Sequence, residues 1–145
     1  MAQPTEDVIL DDRLLIEELL VGLAVRGRRH TMTYWYYRAC RAAVAGAGGH
    51  LSGPFALLDA DEQSRAIRSL LMLRDNIGLP DPRVIVPVMA DLSDRHPRLN
   101  LLNLEAAAAT IVIGGTLLLS AASARGILPQ VLDAEGLAWT AVEII

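Results

Sequence analysis

The sequence predicts an α/β fold: a three-layer α/β/α domain built on a short parallel sheet. Three observations carry this. Apolar runs of strand length, such as Val8-Ile9-Leu10 and Thr116-Leu117-Leu118-Leu119, occur among longer stretches with helical periodicity. These runs lack the in-and-out alternation of a half-solvated strand, so both faces of their sheet are covered. Helices separate the runs, and strands joined by helical crossovers pair in parallel.

The elements follow in order. Val8-Ile9-Leu10 ends at Asp11-Asp12, which sit at the carboxyl end of the strand and can cap a helix over 13–21. In that helix Leu14, Leu15, Leu19 and Leu20 keep helical spacing. Gly22 and Gly27 bracket a loop holding Arg26, with Arg28 and Arg29 just after it. Thr31 or Thr33 caps a second helix reaching about residue 45. Gly46 to Pro54 is a breaker-rich connection. Asp59-Ala60-Asp61-Glu62 puts acids at the positive end of the next helix, whose apolar face is Ala66, Leu70, Leu71 and Leu73. Ile77-Gly78-Leu79-Pro80 reads as a short strand. Asp81-Pro82 opens a helix that Pro97 stops, and Pro87 implies a kink or an offset start. Residues 101–114 form an Ala-rich helix and 116–120 a buried strand. Ser123 opens a helix toward Glu135, which Gly126 and Pro129 can delay and Gly136 ends. Residues 139–144 alternate enough to form the last strand.

Bulk properties set the frame. A chain of 145 residues with 52% hydrophobic and 21% charged residues is expected to fold as a single domain, 1–145, around its own core. The lone Cys40 has no partner for an internal disulfide, and the scattered His30, His50 and His96 argue against zinc. A net charge of -4 gives no bulk attraction to nucleic acid. All 13 basic residues are Arg, a bias expected of a GC-rich, bacterial genome. The acidic N-terminus does not read as a signal peptide. Residues 101–120, with Asn103, Glu105 and Gly114-Gly115, are too polar for a membrane span. The expectation is a cytoplasmic protein with no membrane contact.

The layout resembles the PIN domain, and within it the VapC-type toxins of bacterial toxin–antitoxin pairs. The resemblance runs through Val8-Ile9-Leu10-Asp11-Asp12-Arg13-Leu14-Leu15, then Leu104-Glu105-Ala106-Ala107-Ala108-Ala109-Thr110, then Gly115 and the strand to Ser120, then 132–136 and a closing strand. It implies a PIN-like three-layer fold and an edge where about four carboxylates hold Mg²⁺ or Mn²⁺ for RNA hydrolysis. Hard divalent ions prefer such oxygen ligands and make a bound water nucleophilic. It also implies an RNA target, an antitoxin or other protein partner, and a homodimer.

Carried over residue by residue, the site is partial. Asp11 matches the first acid, and Asp12 stands where the family has a small hydroxyl residue. Glu105 lies at or next to the third acid. The helix expected to carry the second acid holds Tyr34-Trp35-Tyr36-Tyr37-Arg38 instead. Ala121, Ala122 and Ser123 stand where the fourth should be. The resemblance therefore implies catalysis by Asp11 and Glu105, metal binding by Asp11, Asp12 and Glu105, and activity that is weakened or lost. The alternative is a non-catalytic PIN-like module that binds RNA or protein.

Each residue has a plainer reading as well. Asp11 and Asp12 can simply cap a helix, and Ser120 and Ser123, at the edge of the site, can do the same. Glu105 among Ala and Leu is costly unless paired, so it needs a metal, an Arg or solvent. Arg26, Arg28, Arg29, Tyr34, Trp35, Arg38 and Arg41 form a second constellation. Arg pairs with phosphate, and aromatic faces stack on unpaired bases. Adjacent aromatics on a helix also point in different directions, so core packing or a protein interface would use the same residues.

Overall fold

In a computed structural model, which describes residues 6–46 and 58–143, four short strands form one parallel sheet. In chain order the elements are β1 Asp7–Leu10, α1 Asp12–Leu20, β2 Arg28–His30, α2 Thr33–Gly46, α3 Ala60–Leu71, α4 Pro82–Arg95, α5 Leu101–Ile113, β3 Thr116–Leu119, α6 Ala121–Ala124, α7 Leu128–Ala134 and β4 Trp139–Ala141. The strand order is β2-β1-β3-β4, and every pairing is parallel.

Alternation along the central strands sorts the core into two layers. Val8, Leu10 and Leu118 pack with Leu14, Leu15, Ala39, Ala66 and Leu70. Ile9, Leu117 and Leu119 pack with Ile85, Leu92, Ala106 to Ala109 and Leu132. Side chains at successive positions of a strand point to opposite faces, so each central strand serves both layers. This is the three-layer α/β/α arrangement, with helices covering both faces of the sheet.

Several boundaries differ from the sequence reading for identifiable reasons. The second strand is Arg28–His30 and not 77–80, where Gly78 makes only an isolated bridge to His30. Arg28–His30 carries no apolar run, so hydrophobicity could not reveal it. It pairs because the Gly27 backbone, at φ +132, turns the chain beside β1, where the Arg28 amide donates to the Glu6 carbonyl at 2.8 Å. The helix expected from Ser123 splits into α6 and α7, with Pro129 in the first turn of α7. Pro87 sits inside α4, which nonetheless starts at Pro82 with Asp81 as its cap. On α3, Ala66 and Leu70 are buried, but Leu71 is exposed. The breaker-rich connection lies mostly in residues 47–57, outside the described residues. Among the described residues, no helix is long and apolar enough to cross a membrane.

Candidate functional site

At the carboxyl edge of the sheet β1 and β3 lie side by side, with Leu10 opposite Leu118. The chain then leaves β1 through Asp11 and β3 through Ser120. Functional groups in open α/β sheets sit beyond this edge.

Asp11 joins the two strand ends. Its side chain is fully buried. The Leu14 amide donates to Oδ1 at 2.9 Å, which caps α1. The Ser120 amide donates to Oδ2 at 2.7 Å, and the Ser120 hydroxyl donates to the same oxygen at 2.6 Å. Three donors therefore hold one carboxylate. Ser120 does stand at the N-cap position of α6, but its hydroxyl makes no capping bond there and goes to Asp11 instead.

Glu105 is 6% exposed, midway along α5 among alanines. Its partner is a helix end: the Tyr34 amide, in the first turn of α2, donates to Oε1 at 2.8 Å. Thus the carboxylate of one helix caps another that has no acid of its own in its first turn. Burial pushes the Glu105 carboxyl above the usual range, against hydrogen bonds from the Tyr34 amide and the Thr33 hydroxyl that lower it.

Asp12 faces a cation. Arg38 Nε lies 3.3 Å from Asp12 Oδ2, and the Arg13 amide donates to Oδ1 at 3.0 Å. Burial and the neighbouring Asp11 raise the Asp12 carboxyl, and Arg38 opposes them. Asp12 and Arg38 line a cleft of about 210 Å³, with Arg13, Trp35, Asn103 and Ser123 among its other walls.

The three acids do not fit a divalent ion as they stand. Among the described residues no three Asp, Glu, His or Cys side chains form a group suited to a metal. A hard cation needs several carboxylate oxygens turned to one point. Here both oxygens of Asp11 accept from amides and the Ser120 hydroxyl, Oε1 of Glu105 accepts from an amide, and Oδ2 of Asp12 faces a guanidinium.

The Arg and aromatic constellation divides in space. Arg28 pairs in register with Asp7 at the amino end of β1, so Arg26 and Arg28, both exposed, lie at the opposite end of the sheet from Asp11. Arg29 is corrected to a structural role. It pairs with Glu18 through Nε at 3.2 Å and donates to the carbonyls of Leu23, Val25 and Gly27. Trp35 is corrected likewise: at 1% exposure it belongs to the core beside Met32 and Ile85 and offers no free face for stacking. Tyr34, Tyr37, Arg38 and Arg41 remain exposed, spaced so that they share one face of α2.

Sequence reasoning named Asp12 and Arg38 separately and missed that they pair. It also missed Arg13 and Asn103 as cleft residues. Spacing could have found the first: a residue at the start of α1 and one in the second turn of α2 both face the edge where those helices begin.

Comparison with known proteins agrees with the fold. No protein-family model matches the chain, and no curated protein sequence matches it. Among solved structures, the chain is similar to one in the structure of VapBC-1 from nontypeable Haemophilus influenzae. The TM-score is 0.53 at 14% identity, covering 93% of this chain and 97% of that one. The chain thus shares its overall fold with that structure, and the likeness speaks to fold alone.

Proposed function

We propose that this chain is a VapC-like PIN module in which metal-dependent RNA hydrolysis is weakened or lost. Any Mg²⁺ or Mn²⁺ affinity at Asp11, Asp12 and Glu105 is correspondingly weak. The observation that carries this reading is the Asp11 carboxylate, held by three donors at the place where the family's first metal ligand belongs. Glu105 as a helix cap and Arg38 against Asp12 point the same way. A metal would have to displace those partners before it could activate water.

The retained role is binding. The face of Tyr34, Tyr37, Arg38 and Arg41 combines exposed aromatic rings with guanidinium groups, a composition suited to single-stranded RNA. A protein partner, whether an antitoxin or a second copy of the chain, is the other reading. The name VapBC-1 on the similar structure and the enrichment of Tyr and Arg at protein interfaces favour it.

The test is cleavage of structured RNA under multiple-turnover conditions with Mg²⁺ or Mn²⁺. Wild type is expected to show no metal-stimulated turnover. Robust turnover, abolished both by chelator and by Asp12→Asn with the melting curve unchanged, would overturn the proposal. Asp12 is the better probe, because Asp11 cannot be replaced without disturbing the fold.

A further inference from the structure

The cleft beside Asp12 holds donors that no group among the described residues uses. Arg38 meets Asp12 through Nε, and its two Nη groups have no partner among the described residues. Arg13 is exposed and its guanidinium is unpaired there too. The Asn103 side-chain amide and the Ser123 hydroxyl also line the cleft, without a hydrogen-bond partner among the described residues. Two cations against one carboxylate leave the walls net positive. The first turns of α1 and α5 contribute Arg13 and Asn103, and the positive end of α5, with no acid in its first turn, adds to the same field. A volume of about 210 Å³ is below the roughly 300–1,000 Å³ of pockets that enclose whole small molecules, so it suits one small group.

We propose that this cleft is a metal-independent site for a phosphate-type oxyanion, gripped by Arg38 and Arg13 and oriented by Asn103 and Ser123. Guanidinium forks match phosphate oxygens in geometry and charge. The Arg38 guanidinium supplies the positive charge at the edge, and Asp12 holds it in place through Nε. The site is independent of the catalytic reading above, since it needs the cleft alone and stands whether or not hydrolysis survives. The oxyanion can be free phosphate or a phosphate of a nucleic acid; the chemistry is shared, and the arms of the test separate the two.

The test is calorimetric titration of the full chain with inorganic phosphate in the presence of EDTA, followed by competition with 5′-phosphorylated and 5′-hydroxyl oligoribonucleotides. Saturable phosphate binding is expected, weakened roughly tenfold or more by Arg38→Gln and partly restored by Arg38→Lys. Both variants sit on an exposed side chain, and their melting curves serve as the folding control. Stronger competition by the phosphorylated oligonucleotide assigns the site to a terminal phosphate. Equal competition by both assigns it to the backbone, and competition by neither to the free ion. Absence of phosphate binding, or binding untouched by Arg38→Gln and Arg13→Gln, overturns the proposal.

Discussion

Asp11→Ala is expected to destabilise the fold by at least roughly 3 kcal/mol, a loss measurable as a lowered midpoint in urea unfolding. The mechanism is specific. The variant removes the cap of α1, which alone is worth about 1 kcal/mol. It also strands the Ser120 amide and hydroxyl, a buried pair left without an acceptor, at about 1–3 kcal/mol for each unsatisfied group. Asp11→Asn should do less damage, since it keeps an oxygen for one set of donors. If Asp11→Ala unfolded at the wild-type midpoint, the carboxylate would not be the joint between the two strand ends. The practical consequence is that loss of function in an Asp11 variant says little about chemistry unless folding is measured beside it.

The second large effect is at Glu105. Glu105→Ala leaves the Tyr34 amide without its acceptor and opens space in the alanine-lined layer, at a cost of about 2–4 kcal/mol. Glu105→Gln keeps an oxygen for that amide and removes a charge that burial disfavours, so at neutral pH it should lie within about 1 kcal/mol of wild type. The pH dependence separates the two effects. The folded carboxyl is raised above 4.5. The folded state therefore holds the proton more tightly than the unfolded state. Stability from this group is complete below about 4.5 and is lost as pH rises through the raised value. Thermal melts from pH 4 upward should show that decline in wild type and a shallower one in Glu105→Gln. Equal slopes would mean that the carboxyl is solvated and not acting as a buried cap.

Both effects show which parts of the molecule were legible in the sequence. Strands β1 and β3 and helices α3, α4 and α5 could be read because apolar runs, capping residues and breakers all agreed there. Asp59 with Glu62 and Asp81 with Pro82 each announce a helix start through local chemistry. Strand β2 was hidden because Arg28, Arg29 and His30 gain their conformation from pairing with β1, a contact about 20 residues distant. The candidate site was half legible. Asp11 was read at the end of β1 and Ser120 at the edge of the site, and the Ser120 hydroxyl bonds to the Asp11 carboxylate. The cap that Glu105 makes on α2 was hidden because a helix end can be satisfied by a side chain 71 positions away, which no local pattern records. Arg29 and Trp35 were read as RNA or partner contacts with core packing left open, and packing assigns them to a loop brace and to the core.

At the carboxyl edge of the sheet the carboxylates of Asp11 and Glu105 thus act as structural acceptors, and an Arg-lined cleft opens beside them. The most direct test of that account is calorimetric titration of Mn²⁺ into the wild-type chain. The account predicts no saturable one-to-one isotherm and the same heats for Glu105→Gln. A stoichiometric isotherm that Glu105→Gln abolishes, with the fold intact, would contradict it.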